Sequence, residues 1–204
     1  MNVDILYKII LFWVIFFISP GPVWVSVMEA TRKFSAAEIG RFFCKVFLPS
    51  GFLVQCSQAI ICVVFVDFVA TFFSQVDLLF YLLGGVYISY LAYKTIKSKQ
   101  SNVLFKLGFV NLAMVMLLSP KIWLLFPSGA VIVNQLSSSA ITNALVFAGT
   151  MLVVQSVMFF VYAFIGKVGT TLLKDNFSYL ASALLVLFAL FLFNEAYYIA
   201  IENS

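Results

Sequence analysis

The chain has 204 residues, of which 64% are apolar and 10% charged, and its mean hydropathy is +1.11. That excludes an ordinary soluble domain and puts the chain in the integral-membrane class. The net charge of +4 is not a nucleic-acid footprint, because most basic residues cluster at the connections between apolar segments.

Those segments run to roughly 20 residues, the length that crosses a hydrocarbon core of about 30 Å. Continuous apolar runs such as Phe65-Val66 and Phe191-Leu192-Phe193 lack the alternation of a membrane barrel strand. The expected fold is all-α and integral to the membrane, a single domain over 1–204. Its six transmembrane helices are expected at about 5–28, 41–66, 76–96, 103–133, 141–166 and 177–201. The stretch 68–75 reads as an interfacial turn or as an extension of the second helix.

The first apolar run continues too far for the apolar core of a cleavable signal, so it reads as a retained span. Ser19-Pro20-Gly21-Pro22 interrupts it. Pro20 and Pro22 lack a backbone N–H and crowd the preceding carbonyls, and Gly21 permits a sharp turn. A helix break at membrane depth is tolerated only where protein or a cavity satisfies the freed backbone groups.

In the second span, Lys45 lies about one turn inside and is expected to reach the surface by snorkelling. Cys44, Cys56 and Cys62 read as small packing residues. With no CxxC pair and no histidine, no metal site or cofactor is expected. Gly84-Gly85 and Ala92 in the third span allow close helix contact.

The fourth span carries a second break at Ser119-Pro120-Lys121. Ser19 and Ser119 are each expected to cap the half-helix that follows, with Pro120 suited to its first position. Free N–H groups at such a helix start attract a carboxylate. Lys121 adds a full charge there. A lysine at the bilayer centre costs about 2.5–3.5 kcal/mol on insertion scales, so it is expected to face a cavity or a partner. Paired broken helices, one in each half of a chain, point to the substrate site of a transporter. All five prolines, Pro20, Pro22, Pro49, Pro120 and Pro127, lie in the expected spans.

Asp4, Glu29, Glu38, Asp67, Asp77, Asp175, Glu195 and Glu202 sit near the ends of the expected spans, and no carboxylate falls at the midplane. The expected ligand therefore has a carboxylate and a neutral or apolar side chain. Gln55, Gln58, Asn111 and Gln155 supply neutral polar groups, and Trp13, Trp24, Phe52 and Trp123 are candidate pocket walls.

Arg32, Lys33, Arg41 and Lys45 lie at the first connection, Lys94, Lys97, Lys99 and Lys106 at the third, and Lys167 and Lys174 at the fifth. The positive-inside rule places these connections in the cytoplasm and both termini outside. Three spans per half would make any repeat an inverted 3+3 pair, and Ser-Pro recurs in the first span of each half.

Four segments together resemble the LysE/RhtB family of amino-acid exporters, over essentially the whole chain. They are Ser19-Pro20-Gly21-Pro22, the run from Tyr81 to Leu91 containing Gly84-Gly85, Ser119-Pro120-Lys121, and the run from Gly149 to Ala163. The third of these is similar to the family's Asn-Pro-Lys motif, with Ser119 in place of the asparagine. The resemblance implies a secondary transporter of the bacterial inner membrane that exports an amino acid, coupled to the proton gradient. It implies substrate contacts at Ser19, Pro20, Gly21, Pro22, Ser119, Pro120, Lys121 and Gln155. Gln155 stands where many members carry an aspartate and cannot itself take up a proton near neutral pH. Phe47 stands where a glycine is common, and the last span lacks its usual glycines.

The expected partners are an amino-acid substrate, the lipid bilayer and a second copy of the chain, with no nucleic acid. The alternative reading is a divergent, non-transporting membrane interaction protein of the same fold. An intramembrane enzyme is disfavoured, because there is no histidine and no Gly-x-Ser-x-Gly elbow, and Pro120 separates Ser119 from Lys121.

Overall fold

The structure is a computed structural model that describes residues 3–19, 21–100, 107–173 and 176–202. Among these residues it is all helix, with no strand. The helices are α1 (Val3–Ile18), α2 (Pro22–Thr31), α3 (Ala36–Val64), α4 (Val66–Gln100), α5 (Phe109–Leu117), α6 (Pro120–Val133), α7 (Ala140–Leu173) and α8 (Phe177–Glu202).

Four segments are long and apolar enough to cross a membrane: Ala36–Val64, Leu78–Lys97, Ala140–Leu172 and Phe177–Ile201. The pairs α1/α2 and α5/α6 each qualify as a bent span, at 64° and 61°, which brings the number to as many as six. Both bends fall at the Ser-Pro segments, where a missing N–H and a crowded carbonyl prevent the helix from continuing. Large apolar side chains such as Phe164, Leu187 and Phe191 lie exposed on the outer faces, as lipid contact requires.

The stretch 68–75 corrects one expectation. It forms neither a turn nor an extension of the second helix, but the start of α4, which breaks from α3 at Phe65 (φ −125°, ψ 43°). The start of α3 is fixed locally. The Ser35 hydroxyl accepts from the Glu38 N–H at 3.3 Å, and the Glu38 carboxylate accepts from the Ser35 N–H at 2.8 Å. Within α3, two π-type turns, Phe43–Phe47 and Gly51–Gln55, flank Pro49. Such bulges absorb the hydrogen bond that a proline removes. Lys45 is exposed.

The bundle closes on an aromatic core. Trp13 of α1 is fully buried against Phe126 of α6 and Phe147 of α7, with ring centroids 5.0 and 4.4 Å away. Antiparallel α4 and α8 pack along each other, tied by the Ser182 hydroxyl donating to the Ala92 carbonyl at 3.1 Å. Gly84 sets the depth at which α4 meets the second break. A Cβ there would lie 2.8 Å from the Leu118 carbonyl oxygen, 3.3 Å from Leu192 Cδ1 and 3.7 Å from Pro120 Cδ. Gly166 does the same for α2 and α7, where a Cβ would lie 2.6 Å from the Met28 carbonyl oxygen.

Candidate functional site

The two breaks meet. The side chain of Lys121, in the first turn of α6, reaches the end of α1 and donates from Nζ to the Phe16 carbonyl at 2.6 Å and the Ser19 carbonyl at 3.3 Å. The same ammonium sits 4.4 Å from the centre of the Phe16 ring. Tyr162 of α7 donates its hydroxyl to the Phe17 and Ile18 carbonyls at 3.2 and 2.9 Å, and its ring stacks on Trp24 at 4.7 Å. The carbonyls that α1 cannot bond internally are thus satisfied by two side chains from the other half of the chain. A cation is the favoured partner for that end of a helix dipole.

The half-helices that leave the breaks start without side-chain caps. Gly21, in extended conformation (φ −129°, ψ 179°), is the N-cap of α2, with Pro22 in the first turn. Ser119 (φ −80°, ψ 107°) is the N-cap of α6, with Pro120 behind it, but its hydroxyl makes no cap bond. Ser119 and Pro120 thus hold the cap and first-turn positions expected of them, without a bond from the Ser119 hydroxyl, whereas the cap expected at Ser19 falls on Gly21. Ser19 lies two residues before the Gly21 cap, and Pro20 lies outside the described residues.

A cavity of about 720 Å³ opens onto both starts. Its floor is formed by Ser19, Gly21, Pro22, Ser119, Pro120 and Lys121, six of the eight expected site residues, all but Pro20 and Gln155. Its wall is a stripe of α8 running from Leu184 to Glu195. A second space of about 30 Å³, the size of one water, lies behind Lys121 and is lined by Trp24, Phe47 and Gln55 among others. Trp24 thus lines the small space and not the large cavity. Trp13 belongs to the aromatic core, Phe52 is 64% exposed, and Trp123 donates its Nε1 to the Leu117 carbonyl at 2.9 Å.

Gln155 is not part of the lining of either space. It is fully buried in α7 against Gly51 of α3, and neither amide atom has a hydrogen-bond partner. Gln58 is buried and unbonded in the same way, and Gln55 keeps a free Oε1 beside the small space. The backbone carbonyl of Asn111 accepts from the Tyr87 hydroxyl at 3.0 Å.

Two carboxylates take part in the packing and in the cavity lining. Glu29 is buried in α2, paired with Arg32 at 2.9 Å and accepting from the Ser178 hydroxyl at 3.0 Å. It joins α2 to the start of α8. Glu195 lines the large cavity on the same α8 stripe as Leu192. The signal was available in the spacing: Leu184, Leu187, Phe188, Phe191, Leu192 and Glu195 recur at helical intervals and share a face. No family model matches this chain, and neither a curated protein nor a solved structure matches it.

Proposed function

We propose that this chain is a six-span secondary transporter of the LysE/RhtB type, exporting an amino acid with a neutral side chain, or a close analogue, across the bacterial inner membrane. On this reading the bent pairs α1/α2 and α5/α6 are single spans related by a 3+3 inverted repeat, and both termini face outside. The observation that carries the reading is the bond from Lys121 to Phe16 and Ser19, which couples the two breaks at the floor of a cavity.

The physical argument runs from the backbone. Two helix starts without side-chain caps face one space, and each directs unbonded N–H groups and a partial positive charge towards it. Lys121 adds a full positive charge and has three donors, two of them engaged by carbonyls. The third is free to meet a substrate carboxylate. Substrate binding at Lys121 then bears on the bend of α1/α2 as well as that of α5/α6, as alternating access about a fixed site requires. Proton coupling does not run through Gln155, because an amide does not titrate.

The test is efflux of preloaded labelled amino acids from proteoliposomes, with and without an imposed proton gradient. Lys121→Met should abolish efflux while the protein stays folded in the membrane. Efflux unchanged in that variant refutes the role of Lys121. Absence of efflux for every amino acid from folded protein favours the non-transporting alternative.

A further inference from the structure

We propose that Glu195 binds the ammonium group of the substrate, and that the cleft between α6 and α8 receives a large apolar side chain. The substrate class is then a zwitterion with a bulky aliphatic or aromatic side chain. This rests on the transporter reading and names what that cavity selects.

The first observation is depth. Leu192 meets the same point on α4 as the Leu118 carbonyl and Pro120, so it stands level with the second break. Glu195 lies three residues further along α8, about 4.5 Å at the helical rise, on the same face. Glu195 therefore lines the cavity about one helical turn from the level of the second break.

The second observation is charge. Lys121 and Glu195 line one space from different walls, yet Lys121 bonds to carbonyls of α1 instead. Glu195 has no hydrogen-bond or ion-pair partner among the described residues. An anionic and a cationic group left apart across a cavity complement a ligand that carries both charges. A simple carboxylate would satisfy only Lys121, and a simple amine only Glu195.

The third observation is size and lining. A volume of about 720 Å³ falls in the range of roughly 300–1,000 Å³ that holds drug-sized ligands, well beyond what a glycine or alanine fills. Away from the two charges, the wall is formed by Leu124 and Leu125 of α6 and Leu184, Leu187, Phe188 and Phe191 of α8. Leu124, Leu125, Leu187 and Phe191 are 40–61% exposed, so this part of the cavity opens on the flank of the bundle. A zwitterionic head held at the floor would direct an apolar side chain into that cleft.

The experiment separates binding from transport. Binding of labelled phenylalanine to purified protein is measured in competition with leucine, alanine, N-acetyl-phenylalanine and phenylethylamine, and efflux of phenylalanine and alanine is followed in proteoliposomes. Leucine should compete at least tenfold better than alanine. N-acetyl-phenylalanine, which has lost its ammonium charge, should compete at least tenfold worse than phenylalanine. Glu195→Gln should weaken phenylalanine binding about tenfold and erase the difference between phenylalanine and its N-acetyl form, while Glu195→Asp restores part of it. Leu187→Trp, which narrows the cleft, should reduce the preference for leucine over alanine.

Alanine preferred over leucine and phenylalanine overturns the proposal and leaves the transporter reading intact. So does equal competition by phenylalanine and its N-acetyl form in the unmodified protein. Phenylalanine binding that depends on Glu195 but gives no efflux supports the ligand class and overturns transport. No binding and no efflux of any of these from folded protein overturns both.

Discussion

The two helix breaks share a Ser-Pro dipeptide but are held in opposite ways. The end of α1 is satisfied from a distance, by Lys121 and Tyr162, which lie more than a hundred residues further along the chain. The end of α5 is satisfied by its own neighbourhood. The Leu118 N–H donates to the Met114 carbonyl at 2.9 Å, and Trp123 donates to the Leu117 carbonyl. The carbonyls at the first break are satisfied only in the assembled bundle, whereas those at the second are satisfied largely by a local turn. A ligand that displaces Lys121 would therefore disturb the first break more than the second.

Lys121→Met is the largest test of that contrast. It removes two charge-assisted hydrogen bonds and leaves the Phe16 and Ser19 carbonyls unsatisfied in an apolar setting. The expected loss is about 2–4 kcal/mol of stability, together with loss of efflux. Hydrogen exchange should accelerate at the amides around the first break and change little over the α5–α6 turn. Equal acceleration at both breaks would erase the proposed asymmetry.

Gly84→Ala tests the second break from outside. Its new methyl would stand 2.8 Å from the Leu118 carbonyl oxygen, a backbone atom pinned between α5 and α6. Overpacking of this kind costs about 1–3 kcal/mol, read as a lower melting temperature. Gly85→Ala is the control. Its methyl would meet Phe193 Cε1 at a similar 2.8 Å, but that ring is a side chain able to turn away, so a smaller loss is expected.

Tyr162→Phe should come next, at about 1 kcal/mol. It removes one hydroxyl that donates to two carbonyls of α1 and keeps the ring stacked on Trp24. Its effect should fall on the first break alone. In a double variant with Lys121→Met, the losses should not add, because both side chains hold the same helix end. Additive losses would mean that the two side chains act independently.

The difference between the breaks also marks what the sequence could reveal. Proline and glycine act through their own backbone, so Ser19–Pro22 and Ser119–Lys121 announce the bends without any tertiary information. The same holds for the long apolar runs that became α3, α4, α7 and α8. Long-range partners leave no such trace. Nothing local to Tyr162 says that its hydroxyl reaches α1, and the direction of Lys121 follows only once α6 is placed against α1. The surroundings of Glu29 and Glu195 are equally non-local: Glu29 meets Ser178 only once α2 packs on α8, and Glu195 lines a cavity only once α8 lies against α4 and α6. A motif position marks Gln155 in the sequence, whereas its burial in α7 against Gly51 depends on how α3 and α7 pack.

Trp123→Phe gives the smallest effect and the cleanest comparison with Tyr162→Phe. Each variant removes a single donor from an aromatic ring and leaves a phenyl group in its place. Trp123 donates to Leu117, six residues away, across the second break, and its ring lies 5.6 Å from that of Phe80. A bond between residues so near in sequence closes a short loop and costs little chain entropy to form. Its loss is also eased by the Leu118 and Ser119 N–H groups, which still bond to Met114 and Met116. The expected cost is about 0.5–1 kcal/mol, confined to exchange at the α5–α6 turn, with the first break and efflux unchanged. Should Trp123→Phe instead loosen the first break as much as Tyr162→Phe does, the second break would be transmitting strain to the first. The two bends would then behave as one hinge, with Lys121 as the link between them.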